Sequence, residues 1–385
     1  MKKIKNNKTR RIFLINLILL IALLLSACTP VDMIKAKAYD KMGDIVVGEP
    51  VVVEGVSYDK YAYQHLDADT KVVYDQILDT ILSHKEKISV STLDKDVISL
   101  AYEAVMADYG CLFWVSGYKF NTYKSGEEII GLEFEPTYTM TEETRNLYQN
   151  QVDEICDEWL AGISMEASDY DKAYYVFTTL INNVDYEIGS ENNQNILSVF
   201  LNRKTVCQGY ADAAWYMLDK LGISSTIVTG HANNETHAWN LVYLEGAYYY
   251  MDVTWGNSRF LDLDDSIGKT INYAYLAMTT EELSSTHVIE NRFDLPECLS
   301  TGCNYYVRNR LYFDSFDIGS IGRTIEAAWD GGQDSCSLKF SAPGIYNQAV
   351  DYFIVEQHLR DFCWGIESIT YTMNDNVNVL TLMFK

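Results

Sequence analysis

The chain has 385 residues, of which 48% are hydrophobic and 22% are charged, and its 54 acidic and 30 basic side chains give a formal net charge of −24. This hydrophobic content is enough for two or three buried cores. A chain this acidic, with no contiguous basic patch, would be repelled by nucleic acid and by anionic lipid headgroups, so no nucleic-acid partner is expected.

The first 27 residues have the composition of a secretion signal. Six basic side chains precede an apolar run from Ile12 to Leu25, which is short for a membrane span. The residues from Leu25 to Cys28 resemble the lipobox of bacterial lipoproteins. That resemblance implies a lipid on Cys28 as the only attachment to the membrane, a mature chain at the outer face of the cell membrane, and a formal charge of −30 once residues 1–27 are removed. An uncleaved membrane anchor is the alternative.

Residues 28–58 are predicted to be a tether, because glycines and prolines recur there without a long amphipathic period. Residues 59–165 are predicted to form an α+β domain. Thr139 and Glu142 have the spacing of a capping box that opens a helix. The patterns predict helices over 67–84 and 94–108, and the helix that this capping box opens is expected to run to about residue 160. Strands are predicted over 111–115, 118–123 and 129–135.

A core region is predicted over residues 166–290, and it contains a cysteine at the start of a helix. Ser168 and Asp171 resemble a capping box that opens a helix to about residue 183. Cys207 precedes a second helical pattern, which Gly222 ends. The apolar residues of that pattern recur at three- and four-residue steps: Ala211, Ala214, Trp215, Leu218 and Leu221. At a helix N-terminus the dipole and the unpaired N–H groups favour a thiolate and could hold an oxyanion.

After this helix the sequence predicts three strands. They span 225–229, where Gly230 is expected to break the strand, then 237–244 after a polar loop over 231–236, and 247–254. The pair Glu245 and Gly246 has the composition of a two-residue turn. If residues 244 and 247 pair, the numbers of opposite residues sum to 491. A spacing like that of a capping box at Thr279 and Glu282 then marks a last short helix, closing the core near residue 290.

This register brings a histidine and an aspartate together. His237 is expected to face Thr254 and Trp239 to face Asp252, with all four side chains on one side of the sheet. His237 and Asp252 are then diagonal neighbours, roughly 7–8 Å apart at the backbone and within reach of each other's side chains. A nucleophile, a base and a carboxylate that orients the base are the three parts of a thiol catalytic set.

Residues 291–385 are predicted to form a small α/β domain without a catalytic constellation. The expected strands are 305–313, 337–340, 369–373 and 377–384, and the expected helices are 318–329 and 346–359. This domain would be a stabilising appendage or a module that positions substrate. Besides Cys28 and Cys207 the chain has six cysteines, Cys111, Cys156, Cys298, Cys303, Cys336 and Cys363. Disulfides, with Cys298 and Cys303 as one close pair, and six buried free thiols both remain open.

The residues around the three candidate catalytic side chains resemble the core of the transglutaminase-like superfamily, a branch of the papain-like thiol enzymes. The resemblance covers about residues 166–290 and rests on Thr205-Val206-Cys207-Gln208-Gly209, Leu221-Gly222, His237-Ala238-Trp239-Asn240 and Asp252-Val253-Thr254-Trp255. It implies an α+β fold in which the cysteine helix packs on an antiparallel sheet that carries His237 and Asp252. Members include peptidases, protein crosslinkers and inactive relatives.

The expected reaction is attack of the Cys207 thiolate on a peptide or glutamine-type amide. Hydrolysis is slightly favoured over crosslinking, because an exported enzyme works in bulk water and nothing marks an amine-binding tunnel. A non-catalytic adhesin or scaffold on the same fold is the alternative from another class. Gln208, Trp239 and Trp255 are candidates for lining the substrate groove, although either tryptophan could be a core residue. A protein or peptide substrate is expected, a cell-wall peptide among the candidates. No cofactor is expected, and no zinc-type spacing supports a metal site that includes His231.

Overall fold

The computed structural model describes residues 47–257, 271–366 and 368–384. The predicted signal segment, Cys28 and the tether up to residue 46 lie outside the described residues. The helices are α1 (Tyr61–Gln64), α2 (Ala68–Leu82), α3 (Lys95–Asp108), α4 (Glu142–Leu160), α5 (Asp169–Asn183), α6 (Cys207–Lys220), α7 (Val253–Gly256), α8 (Thr280–Ser284), α9 (Tyr305–Arg308), α10 (Ile318–Asp330) and α11 (Pro343–Val350). Short 3-10 or π-helical turns span Ser198–Asn202, Tyr273–Tyr275, Asp351–Val355 and His358–Asp361.

The strands belong to four small sheets. They are β1 (Ile88–Ser89), β2 (Val115–Ser125), β3 (Glu128–Tyr138), β4 (Asp185–Tyr186), β5 (Lys204–Thr205), β6 (Ser225–Ala232), β7 (Glu235–Leu244), β8 (Ala247–Met251), β9 (His287–Ile289), β10 (Tyr312–Phe313), β11 (Ser335–Phe340), β12 (Ile369–Asn374) and β13 (Val379–Phe384). Their orders are β1-β3-β2, β4-β5, β8-β7-β6-β9 and β10-β11-β13-β12. Helices and sheets therefore mix as an α+β protein. Among the described residues, no helix is both long and apolar enough to cross a membrane.

The chain divides into two compact units. Among the described residues, one contains 47–57, Leu66–Val105 and Val115–Thr139, and the other contains Tyr58–His65, Met106–Trp114 and the described residues from Met140 onward. This division differs from the predicted limits, because it groups residues 140–165 and 291–385 with the core. Helix α4 contacts the core directly, since Asp153 accepts a hydrogen bond from Tyr216 and pairs with Lys220 at 2.8 Å.

The first unit is built on the antiparallel sheet of β1, β2 and β3. Helix α2 contacts β1 and β3, and Asp67 caps its first turn by accepting a hydrogen bond from Thr70 at 2.7 Å. The predicted strand over 111–115 is wrong, because only its last residue, Val115, is in a strand. The predicted capping box is also displaced. The cap of α4 is Thr141, whose hydroxyl accepts from the backbone of Thr144.

In the second unit, α6 lies against β6 and β7 of the sheet β8-β7-β6-β9. The predicted register of β7 and β8 is confirmed, from the pair Leu244 and Ala247 to the pair Asn240 and Met251. Glu245 and Gly246 both have positive φ, at 49° and 89°, as a two-residue type I′ turn requires. The loop observed here is much shorter than the one predicted over 231–236. Only Asn233 and Asn234 form a turn there, again with both φ angles positive.

Gly230 does not break its strand, contrary to the sequence prediction. It pairs with His237 of β7 on one side and with Ile289 of β9 on the other. A Cβ atom at this position would lie 2.0 Å from the carbonyl oxygen of Val288. The glycine is therefore a site of close approach between β6 and β9, which is a common role of glycine inside a strand.

We expect Gly230→Ala to lower the free energy of unfolding by about 1–3 kcal/mol, because the added methyl must push β9 away from β6. Urea denaturation followed by circular dichroism measures the change. Gly189→Ala is the matched control, since a Cβ at Gly189 would meet no atom within 4 Å. Equal stabilities of the two variants would contradict the close approach.

The C-terminal part of this unit packs helices on the sheet β10-β11-β13-β12. Its buried core includes Ile325, Leu338 and Leu380. The predicted strand over 305–313 is mostly wrong. The side chain of Asn304 accepts a hydrogen bond from the backbone N–H of Tyr306 and so caps α9. Arg310 has a positive φ, and only Tyr312–Phe313 is extended. All seven described cysteines are free thiols, so Cys298 and Cys303 form no disulfide.

Candidate active site

Cys207 is the first residue of α6, and its side chain is partly exposed. The first backbone N–H groups of a helix have no partner inside the helix, so they are available to a developing oxyanion. The start of α6 is fixed by Gly209, where a Cβ would lie 2.0 Å from the hydroxyl of Thr205. That hydroxyl donates to the carbonyl of Asn193 at 3.0 Å. The glycine after Cys207 and Gln208 thus lets the helix begin directly against β5.

Asn240 connects the cysteine helix to the strand that carries His237. This side chain is fully buried on β7 and donates a hydrogen bond to the carbonyl of Ala211 at 2.9 Å. Asn240 is three residues from His237, and Ala211 is one helical turn from Cys207. The bond therefore fixes the height of the thiol relative to the imidazole.

The side chains of His237 and Asp252 are in direct contact. His237 Nε2 lies 2.8 Å from Asp252 Oδ2, and both side chains are buried. The contact was predicted, but it is formed differently. Pairing of β7 with β8 ends at Met251, so Asp252 is not a ladder neighbour of Trp239. Asp252 leaves the strand and caps α7, with Oδ1 accepting from the backbone N–H of Trp255 at 3.0 Å.

The electrostatics of this pair favour an ion pair. Burial disfavours the charged form of His237, but the charge and hydrogen bond of Asp252, together with the Cys207 thiol, raise the pKa of His237 to about 10. For Asp252, burial opposes ionisation, but His237 first and then His287 hold its pKa well below the ordinary value. The charged forms of the two side chains therefore stabilise each other.

His287 is a third buried side chain in this cluster, and sequence reasoning missed it. It lies on β9, and its Nε2 atom is 3.1 Å from the same Asp252 oxygen that binds His237. Its other ring nitrogen is 2.7 Å from the hydroxyl of Thr286. The sequence signal was weak, because His287 lies 35 residues beyond Asp252 on a three-residue strand.

Within the part of the chain that the structure describes, His237, Asp252 and His287 are also the residues close enough to hold a metal ion together. Their atoms lie at hydrogen-bond distances, and all three side chains are buried. Hydrogen bonds from the two imidazole rings to the carboxylate account for these contacts. His231 lies apart from this cluster, with Nδ1 3.1 Å from a carboxylate oxygen of Glu290.

The predicted groove residues lie around the cluster. The Trp239 ring is 5.7 Å from the His237 ring and nearly parallel to it, and the Trp255 ring is 6.3 Å away and inclined. Both indoles are at most 2% exposed, so they enclose the imidazole. Trp255 also lines a cleft of about 600 Å³, together with Tyr273 and Tyr305. Their role in substrate binding stays a prediction.

Gln208 does not point freely into solvent. Its side-chain amide donates to Asp212 Oδ1 at 2.8 Å, one turn further along α6. Burial raises the pKa of Asp212 well above the ordinary value, against the weaker opposing effect of this bond. Burial thus disfavours the charged form of Asp212, and one N–H of Gln208 is occupied by this carboxyl group.

Tyr186 is a second neighbour of the thiol that the sequence did not reveal. It lies on β4, beside the strand that leads into Cys207. Burial, followed by the charges of Cys207 and Glu235, raises the pKa of Tyr186 to about 12. Its phenol is therefore a neutral hydrogen-bond donor near the nucleophile.

Parts of this chain are similar to known proteins. A crystal structure of a TGase aligns with 36% of this chain and 44% of its own, at 13% identity and a TM-score of 0.27, a likeness too low to add to the argument. The kyphoscoliosis peptidase of Homo sapiens is 26% identical over 137 residues, covering 31% of this chain and 20% of the human protein. The Mus musculus protein of that name is 25% identical over 119 residues, covering 26% and 18%. The chain thus spans about a fifth of the length of these curated relatives.

The family model of the transglutaminase-like superfamily matches residues 157–253. The segment 157–253 of this chain is therefore a transglutaminase-like core.

Proposed function

We propose that this protein is a thiol enzyme that cleaves peptide or glutamine-type amides through an acyl-enzyme on Cys207. The observation that carries the proposal is the buried contact of His237 with Asp252, 2.8 Å long, beside a cysteine at a helix start. A nucleophile, a base and a group that orients the base form the recurring unit of such enzymes.

The roles of the side chains follow from their contacts. Since Nε2 of His237 is bound to Asp252, Nδ1 is the nitrogen left to exchange a proton with the thiol. The thiolate attacks the amide carbonyl carbon, and backbone N–H groups at the start of α6 stabilise the oxyanion. His237 then gives its proton to the departing amine as the C–N bond breaks. The remaining thioester is resolved by water in hydrolysis or by a second amine in crosslinking.

Hydrolysis of peptides is the favoured outcome. It is supported by the signal-like segment and the lipobox-like Leu25 to Cys28, which would place the enzyme at the outer face of the cell membrane in bulk water. There a protein or a cell-wall peptide would be the substrate. A formal charge of −30 on the mature chain is compatible with cationic peptides.

Alkylation of Cys207 tests the proposal. Iodoacetamide at near-neutral pH, with the label located by mass spectrometry, should modify Cys207 much faster than a model thiol, and His237→Ala should slow this modification. Cys156→Ala is the matched control, since Cys156 is buried and this burial raises its pKa to about 12, so it should contribute no fast label. Modification of Cys207 no faster than the model thiol would favour a non-catalytic adhesin or scaffold.

A second measurement separates the two enzymatic outcomes. The protein is incubated with a dansylated amine and a glutamine-containing protein. Release of new peptide termini without dansyl incorporation supports hydrolysis. Stable incorporation that depends on Cys207 would instead make the protein a crosslinking enzyme.

A further inference from the structure

His287 is not one of the three side chains of the proposed catalytic set, yet it binds the carboxylate of Asp252, which orients His237. Asp252 Oδ2 lies 2.8 Å from His237 Nε2 and 3.1 Å from His287 Nε2, while Oδ1 accepts the backbone N–H of Trp255. Three donors thus hold one buried carboxylate. A carboxylate bound in this way cannot rotate without breaking a bond.

The ring of His287 is oriented by its neighbours. The Thr286 hydroxyl lies 2.7 Å from Nδ1 and can donate to it, which leaves the proton on Nε2, where it points at Asp252. Aromatic rings of Trp239, Trp255 and Tyr275 surround the imidazole at 5.0, 5.0 and 6.5 Å between centroids. His287 therefore has little room to swing away from the carboxylate.

The backbone under His287 is fixed as well. The next residue, Val288, presents its carbonyl oxygen at the place where a side chain on Gly230 would lie. His287 itself is opposite Ala232 of β6. The short strand β9 thus joins the edge of the sheet beside β6, and β6 in turn pairs with β7, the strand that carries His237.

We propose that His287 is a positioning residue for the catalytic set, which keeps Asp252 oriented so that His237 faces Cys207. The inference rests on the proposed function, because it assigns His287 a role in the same reaction. It adds a fourth side chain, contributed by a strand that follows the three catalytic residues in the chain.

The rate of Cys207 alkylation at fixed pH tests this role. His287→Ala should slow alkylation by about 10- to 100-fold, because it removes one charge-assisted hydrogen bond to Asp252. Without that bond Asp252 can rotate and no longer keeps His237 facing Cys207. His287→Gln should restore the rate to within about threefold, because its amide can donate to Oδ2 from a similar position. A merely structural role predicts no such rescue.

Thr286→Val provides a milder second variant in case His287→Ala does not fold. Without the hydroxyl the proton of His287 can move to Nδ1, so we expect about a three- to tenfold slower alkylation with little loss of stability. Wild-type rates in both His287→Ala and Thr286→Val would overturn the positioning role. Slow alkylation of the wild-type protein itself would instead overturn the proposed function.

Discussion

Replacing Asp252 with asparagine is expected to lower amide turnover by about 10²- to 10⁴-fold while the protein still folds. Asparagine can occupy the same space and can still cap α7 through its carbonyl oxygen. It carries no charge, so it no longer raises the pKa of His237, and it can hold the imidazole in the wrong tautomer. Single-turnover cleavage of a fluorogenic peptide and the alkylation rate of Cys207 measure the loss.

Asp212→Asn is the matched control for this experiment. Asp212 is also a buried aspartate, on the helix that begins at Cys207, but burial raises its pKa and so disfavours its charged form, which makes neutral asparagine a smaller change there. Gln208 can still donate to the new side-chain oxygen. Turnover should stay within about threefold of the wild type. An equal loss in both variants would show that Asp252 has no special role.

The contact of His237 with Asp252 could be predicted because a two-residue turn determines the register of a hairpin. Glu245 and Gly246 specified the turn, and counting outward from it placed both residues at the same end of the hairpin. The helix start at Cys207 could be predicted for a similar reason, since the apolar period and Gly222 are local signals. Local patterns thus supply the parts of the candidate site that lie on neighbouring elements.

Other features depend on contacts between distant segments. Gly230 looked like a strand break, because nothing near it in the sequence shows that Val288 passes at close range. His287 was missed for the same reason, since β9 joins the sheet through β6 after a long connection. The strand predicted over 305–313 failed because the cap at Asn304 outweighed the β-propensity of the tyrosines that follow.

The ion pair of His237 and Asp252 should also make the stability of the protein depend on pH. Asp252 has a lowered pKa, so its contribution is present above the ordinary value of 3.8 and is lost as the pH falls below it. His237 has a raised pKa of about 10, so its contribution is complete below the ordinary value of 6.5 and is lost as the pH rises through 10. The two pKa shifts describe the same interaction between His237 and Asp252, and this interaction stabilises the fold most between about pH 4 and 6.5.

The difference in unfolding free energy between the wild type and Asp252→Asn should therefore be largest between about pH 4 and 6.5, at about 3–5 kcal/mol, and should shrink toward pH 10. Urea denaturation across this range measures it. Asp212→Asn should behave in the opposite way. Because the raised pKa of Asp212 makes the wild type lose stability as the pH rises above 3.8, this variant should gain on the wild type with increasing pH. A difference for Asp252→Asn that does not change with pH would mean that the two buried side chains share a proton without forming an ion pair.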